Sequence, residues 1–206
     1  MSLQGIDVSH FSGSIDWEAV ASSGPSFVFI KATEGISFVD PRFKEYRSGC
    51  QGHLKAGFYH FFRPDVDAVQ QAEAFLTQVG SLGSNEFGAA IDIEAIYQRH
   101  SQTDLWSLKT EQERIDMVGA FLRKVDEALG ERTFVYASPG WYQSMLGSAD
   151  FSGHPLWIAD YGVDAPRLCG AWTEYTIWQN SDHGNVAGIG TGVDMDLWNP
   201  GAAIQP

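Results

Sequence analysis

The sequence predicts an α/β fold: an irregular, TIM-like β/α barrel of eight strands and about five helices, with no helices between the last strands. Three observations predict it. Eight short apolar runs, each bounded by turn residues, recur along the 206-residue chain, as buried strands do. Helix-like segments alternate with the first six runs, the pattern of a parallel sheet covered by helices. The first run opens GIDVSHFSGS and matches neither GxGxxG nor GK[ST], which counts against the alternative, an open doubly wound nucleotide-binding sheet. A barrel of this length is shorter than the usual ~250 residues because its last helices are trimmed.

In chain order, GIDVSH (5–10) is the first strand-like run, followed by a short helix near 16–23. FVFIKAT (27–33) is the second, and Asp40-Pro41 then sets a capping side chain before a proline at the start of a helix over 40–55, where the missing N–H costs nothing. AGFYHFF (56–62) precedes a helix over 65–80, and GAAIDIE (88–94) precedes one over 108–129. In that last helix Thr110 and Glu113 have capping-box spacing, and Ile115, Val118, Phe121, Leu122 and Val125 form one apolar face. RTFVYAS (132–138) runs into Ser138-Pro139, which opens a short helix from about 139 to 146. PLWIADY (155–161), YTIWQNS (175–181) and GVDMDLW (192–198) complete the set.

Composition bounds the function. With 44% hydrophobic and 13% aromatic residues, the chain supports one sizeable core, so residues 1–206 are read as a single catalytic barrel domain. Met1-Ser2-Leu3 has the form of an expression-vector remnant. The 26 acidic against 13 basic residues give a net charge of −13, which repels phosphate backbones and anionic lipid, so neither nucleic acid nor a membrane is an expected partner. No apolar run is long enough to span a bilayer and no leader is visible, which leaves localisation open. Cys50 and Cys169 allow one disulfide or two separate thiols. A monomer without cofactor is the default expectation.

Barrel enzymes place their chemistry at the C-terminal strand ends. In Ala90-Ile91-Asp92-Ile93-Glu94, strand alternation turns Ile91 and Ile93 toward the helices and Ala90, Asp92 and Glu94 toward the barrel interior. Two neighbouring carboxylates at an apolar mouth raise at least one pKa through desolvation and repulsion, which keeps a general acid protonated near neutrality. Asp7 in the first run and Asp194 in the last join them, because a closed barrel makes its first and last strands neighbours. Of Asp194 and Asp196, one is expected in the site and the other facing out or capping the chain turn, with Asp194 favoured in the site. Tyr59, Tyr136, Tyr161 and Trp178 stand at strand ends as candidate sugar-binding aromatics, each of which in isolation is more often core. Lys31 and Glu34 follow the second run, as a surface ion pair or as substrate-orienting groups. His60 points opposite Tyr59 and reads as a core histidine. Taken alone, these residues leave three classes open: a glycosidase, a metal-dependent hydrolase using the clustered aspartates, and a silent glycan-binding barrel. No HExxH or paired-cysteine zinc spacing occurs, and no metal site is expected.

The pieces GIDVS and IDW (5–9, 15–17), FVFIKATEG (27–35), AGFYHFF (56–62), AIDIE (90–94), LWIADY (156–161), IWQNS (177–181) and GVDMDLW (192–198), in this order, resemble glycoside hydrolase family 25, the Chalaropsis-type muramidases. The resemblance implies an irregular β/α barrel and cleavage of the β-1,4 bond from N-acetylmuramic acid to N-acetylglucosamine in bacterial cell-wall peptidoglycan. It implies Glu94 as general acid, and Asp92 as the residue that orients the substrate acetamido group. Asp7 and Asp194 complete the acidic cluster, and Lys31, Glu34, Tyr59, Tyr136, Tyr161 and Trp178 line the groove. Such an enzyme acts outside the cytoplasm, in the periplasm or after lysis. The family's VDxN reads Val193-Asp194-Met195-Asp196 here, an acid in place of an amide. Retention through the substrate's own acetamido oxygen is the expected mechanism, and direct displacement by water activated at Asp7 or Asp194 is the alternative.

Overall fold

The structure, a computed structural model, describes residues 2–202; Met1, part of the stretch read as a vector remnant, lies outside the described residues. Nine strands and five helices follow one another as β1 (Leu3–Val8), α1 (Trp17–Ser22), β2 (Phe27–Glu34), β3 (Phe38–Val39), α2 (Phe43–Gly49), β4 (Lys55–Phe61), α3 (Ala68–Val79), β5 (Glu86–Asp92), α4 (Glu111–Leu129), β6 (Phe134–Ala137), α5 (Pro139–Leu146), β7 (Leu156–Ala159), β8 (Ile177–Gly184) and β9 (Val193–Trp198).

Eight of these strands close a barrel. β1, β2, β4, β5, β6, β7 and β8 pair in parallel, and β9 lies antiparallel to both β8 and β1. β9 runs backward because residues 185–192 are too few for a crossover, and antiparallel neighbours need only a short connection. β3 is a two-residue addition that folds back on β2 outside the ring. The expected sequence of strands and helices is present, and the lack of helices among the described residues between β7 and β8 and between β8 and β9 accounts for the short chain.

Two hydrophobic layers hold the barrel. Inside it, Phe27, Phe29, Ala90, Phe134, Trp157, Ile177 and Trp198 pack below Tyr59 and fill the lower half, with Phe29 stacked on Trp157 at 4.4 Å between ring centroids. Room for these rings comes from glycines: a Cβ on Gly5 would stand 2.2 Å from the Phe27 ring, and one on Gly57 2.5 Å from Phe29. The outer layer, between strands and helices, includes Ile91, Ile93, Val118, Phe121, Leu122 and Val125, so β5 alternates as expected and α4 buries the predicted face. His60 lies wholly in this layer, stacked on Phe121 at 4.9 Å. Its Nε2 donates to Gln71 Oε1 (3.1 Å) and its Nδ1 accepts from Thr33 Oγ1 (2.7 Å), since the Gln71 amide nitrogen is committed to the Arg63 and Val66 carbonyls. Burial lowers its pKa to about 4, so it is a neutral structural histidine.

Helix starts follow local chemistry, with one correction. Thr110 and Glu113 form the reciprocal capping box of α4, and Ser138 with Pro139 opens α5, although the Ser138 side chain makes no capping bond. Asp40 does not cap a helix beginning at 40. Its Oδ1 takes the Arg42 N–H (2.9 Å), its Oδ2 is bound to the His10 loop, and α2 starts only at Phe43. Cys50 and Cys169 are both free and buried, and burial raises their pKa values to about 11 and about 12, so they are two inert thiols.

Candidate active site

Strand ends of the parallel barrel converge on one mouth, where a cleft of about 290 Å³ is lined by Asp7, Lys31, Tyr59, Asp92, Glu94, Tyr136, Tyr161 and Asp194, together with Ser9, Phe11, Phe61, Trp157 and Gln179. Asp92 is the last residue of β5. Glu94 follows two positions on, its backbone carbonyl held by the buried Trp106 Nε1 (2.9 Å) and the chain before it by Ile93 N–H donating to Tyr136 O (3.1 Å). This keeps a residue outside the ladder at a fixed place on the rim. Asp7 and Asp194 are directly opposed across the β1–β9 seam, so closure itself brings the first and last acids together.

The carboxylates differ in surroundings. Asp7 and Asp92 are buried, and desolvation followed by neighbouring acids pushes both pKa values well above the ordinary range: Asp196 and Asp194 act on Asp7, Glu94 on Asp92. Asp92 Oδ1 has no hydrogen-bond partner. Glu94 retains solvent access at the rim, but the cleft walls still desolvate it and its pKa is raised, with Lys31 opposing and Asp194 adding to the shift. Asp194 is raised by desolvation, offset in part by a hydrogen bond with Asp7. The consequence is a cluster of coupled acids that hold their protons to higher pH than isolated carboxyls do.

Gln179 organises the opposite wall. Its Nε2 donates to Asp7 Oδ2 (2.6 Å), and its Oε1 accepts from Tyr136 OH (2.8 Å) and from Tyr161 OH. Lys31 donates to Glu34 Oε2 at 2.9 Å and lies 4.5 Å from the Phe61 ring centre. Partial burial works against the Glu34 charge, but the bonds and charges of Lys31 and Arg63 outweigh it and hold its pKa below the usual value. The β2–β4 register slips between Lys31 and Thr33. That irregularity lets Lys31 and Glu34, three apart in sequence, meet on the mouth side.

The structure thus brings Asp7, Lys31, Tyr59, Asp92, Glu94, Tyr136, Tyr161 and Asp194 together, and two of the expected groove residues elsewhere. Glu34 lines an adjoining cavity and not the acidic cleft. Trp178 faces the outer layer, where its Nε1 donates to Asp160 O (2.7 Å); its neighbour Gln179 holds the inward position. The expectation that Asp196 faces out or caps the chain turn is also corrected. Asp194 and Asp196 share strand parity, and Asp196 is wholly buried below the cleft, its Oδ1 accepting from Trp157 Nε1 (2.8 Å) and its Oδ2 unpartnered. Residue type alone does not mark Gln179 and Trp157, but parity does: Trp157 in β7 and Ile177 and Gln179 in β8 fall on the inward phase, which Tyr161 continues just beyond β7. Among the described residues no three His, Cys, Asp or Glu side chains are grouped to hold a metal ion, and no helix is long and apolar enough to cross a membrane.

A closed β/α barrel whose mouth carries paired carboxylates between aromatic walls has the form of a glycoside hydrolase. The chain belongs to glycosyl hydrolases family 25, whose sequence pattern matches residues 6–189. It is 33% identical to lysozyme M1 of Streptomyces globisporus over 98% of this chain and 69% of that protein. It is 29% identical to the N,O-diacetylmuramidase of Chalaropsis sp. over 88% and 89% of the two chains. Among solved structures, a bacterial lysozyme from Streptomyces coelicolor superposes with a TM-score of 0.89 at 30% identity, covering 98% of this chain and 94% of that one.

Proposed function

We propose that the protein hydrolyses the glycan of bacterial peptidoglycan at the β-1,4 bond between N-acetylmuramic acid and N-acetylglucosamine, with Glu94 as general acid and then general base. The observation that carries this reading is the Asp92–Glu94 pair at the β5 end, in which the buried Asp92 Oδ1 lacks a partner. An acetamido N–H would satisfy that oxygen, and no group on an unsubstituted sugar offers an equivalent amide donor. Relatives named lysozyme and N,O-diacetylmuramidase support the substrate class.

In this mechanism an acetamido N–H on Asp92 favours the ionised Asp92, and repulsion between the two acids then favours the proton on Glu94. Glu94 gives that proton to the glycosidic oxygen as the bond from C1 breaks, and the acetamido carbonyl oxygen bonds to C1 from the other face. Water then attacks C1, opens the resulting ring and yields its proton to the Glu94 carboxylate, so the β configuration is retained. Displacement by water activated at Asp7 fits less well, because Asp7 is buried and its Oδ2 already accepts from Gln179 Nε2 at 2.6 Å, which leaves that oxygen poorly placed to take a proton from water.

Mass spectrometry of soluble fragments from purified peptidoglycan, reduced with borohydride to mark new ends, tests the assignment. Reduced muramic acid at the new ends is expected from the native chain, with a drop of at least about a hundredfold in Glu94→Gln. New ends at glucosamine would place the cut at the other bond, and no fragments at all would favour a glycan-binding barrel. Proton NMR of the first product tests the stereochemistry, since initial α-anomer would overturn retention.

A further inference from the structure

We propose that the acidic cleft takes muramic acid with its lactyl carboxyl capped as an amide and turns away the same sugar with that carboxylate free. The chain then cuts the glycan before the class of reaction that hydrolyses this amide and strips the peptide. The inference rests on the reading above, in which the muramic ring carries the bond that is cut and its acetamido group meets Asp92.

Covalent geometry places the lactyl group. The acetamido group stands on C2 of the ring and the lactyl ether on C3, so only a few bonds separate the acetamido nitrogen from the lactyl carboxyl. A sugar held by its N–H at the unpartnered Asp92 Oδ1 therefore brings that carboxyl to the same mouth, among Asp7, Asp92, Glu94 and Asp194. While the peptide is attached, the group is an uncharged amide. Once the peptide is removed it is a carboxylate at neutral pH, and like charges repel more strongly in a desolvated cleft than in open water.

An unmatched cation at the mouth would reverse this preference, but the cations there are matched. Lys31 is the one basic side chain among the described residues that line the cleft. Its Nζ is bound to Glu34 Oε2 at 2.9 Å and lies 4.5 Å from the Phe61 ring centre. Arg63, next to it, is divided between Glu34 Oε1 (3.2 Å) and Asp65 Oδ1 (3.2 Å). Lys31 and Arg63 thus face Glu34 and Asp65 charge for charge, and together they hold the Glu34 pKa below its usual value. On the opposite wall His183 acts on Asp194, but its Nε2 faces Asp182 at 3.4 Å. Protons taken up by the coupled acids make the cleft less negative without making it positive, so a free lactyl carboxylate finds no compensating charge in any of these states.

Peptide-free glycan oligosaccharides that differ only at the lactyl carboxyl test the inference: the free carboxylate, its methyl amide and its methyl ester, the last uncharged and without an N–H. At neutral pH the native chain is expected to show kcat/KM roughly tenfold lower on the carboxylate than on the amide, with the ester grouped with the amide. Equal values on all of them would overturn the inference and leave the hydrolytic reading standing. An amide preferred over both ester and carboxylate would replace charge by a specific amide contact and overturn it as well. Glu34→Gln, which releases Lys31 and Arg63, is expected to narrow the gap severalfold. The ratio is taken within one variant, so a change in stability or basal rate cancels, and an unchanged gap would overturn the part given to the matched cations. Calorimetry of the same compounds on the Glu94→Gln background reads the preference without cleavage. Weaker binding of the carboxylate with no turnover by the native chain would sink the hydrolytic reading alone, whereas equal binding with no turnover would sink both.

Discussion

Lys31 is the cation that Asp92 and Glu94 face across the cleft, and its charge lowers the pKa of both. A general acid works while protonated, so the alkaline limb of the pH profile follows the group that loses its proton. Removing the cation in Lys31→Met takes away a term that favours the carboxylate, and the proton is then held to higher pH. The alkaline limb of kcat is expected to move upward; a move downward, or none, would show that Glu94 does not set that limb. Asp196 obeys the same electrostatics without touching substrate. Desolvation, eased by the Trp157 hydrogen bond and added to by Asp194, raises its pKa well above the ordinary value. A raised carboxyl pKa means that the folded state binds a proton the unfolded state has released. Its stabilising contribution is complete below the unfolded pKa, near ~3.9, and is lost as pH rises toward the folded value. Asp196→Asn keeps an acceptor for Trp157 without ever ionising. It is expected to be more stable than the native chain at neutral pH by on the order of 1–2 kcal/mol, with the gain vanishing in acid. Urea unfolding at several pH values reads both.

At the scale of elements, α4 is the longest helix, and it presses Val118, Phe121, Leu122 and Val125 onto the barrel. Its Thr110–Glu113 capping box satisfies two of the N-terminal donors that have no partner within the helix. Thr110→Ala is expected to cost about 1 kcal/mol, seen as a lower urea midpoint with unchanged product anomer, since Thr110 is exposed and does not line the acidic cleft. Such local signals were legible in the sequence. Capping residues, apolar faces and the alternation of Ala90, Asp92 and Glu94 are all set within a few positions of the residue concerned. In β8 the same alternation picks Gln179 over Trp178, and in β9 it turns Asp194 and Asp196 to one side; preferring an aromatic at one place, and one acid over the other at the second, ran against the two-residue period. Other features depend on partners far along the chain. Asp40 reads as a helix cap until the His10 loop, thirty residues earlier, is seen to claim its oxygen. The slip in β2 that brings Glu34 back to Lys31 is a property of pairing with β4, and no pattern within 27–34 announces it. That the last strand lies beside the first follows from reading a closed barrel, whereas the antiparallel direction of β9 shows only in its pairings with β8 and β1.

The whole molecule carries a net charge of −13, and its cleft is itself lined with acids, although the wall it is proposed to cut is anionic through its peptides. Overall field and substrate therefore repel, and affinity has to come from short-range contacts to the neutral glycan. Repulsion between extended charge distributions acts over a Debye length, about 30 Å at 0.01 M and about 8 Å at 0.15 M salt, whereas stacking and hydrogen bonds inside the cleft are insensitive to this change. Raising ionic strength from about 0.01 to 0.15 M at constant pH should then increase the initial rate on intact wall fragments, through faster association. On a peptide-free oligosaccharide with its muramic carboxylates amidated, the same change should leave the rate flat. Turbidity of a wall suspension and release of reducing ends from the neutral oligosaccharide give the two curves. A rate on wall fragments that falls over this range would mean that attraction dominates the encounter, which would require a local cationic approach path that outweighs the molecule's net charge, and the Lys31–Arg63 side of the mouth would be the first place to neutralise.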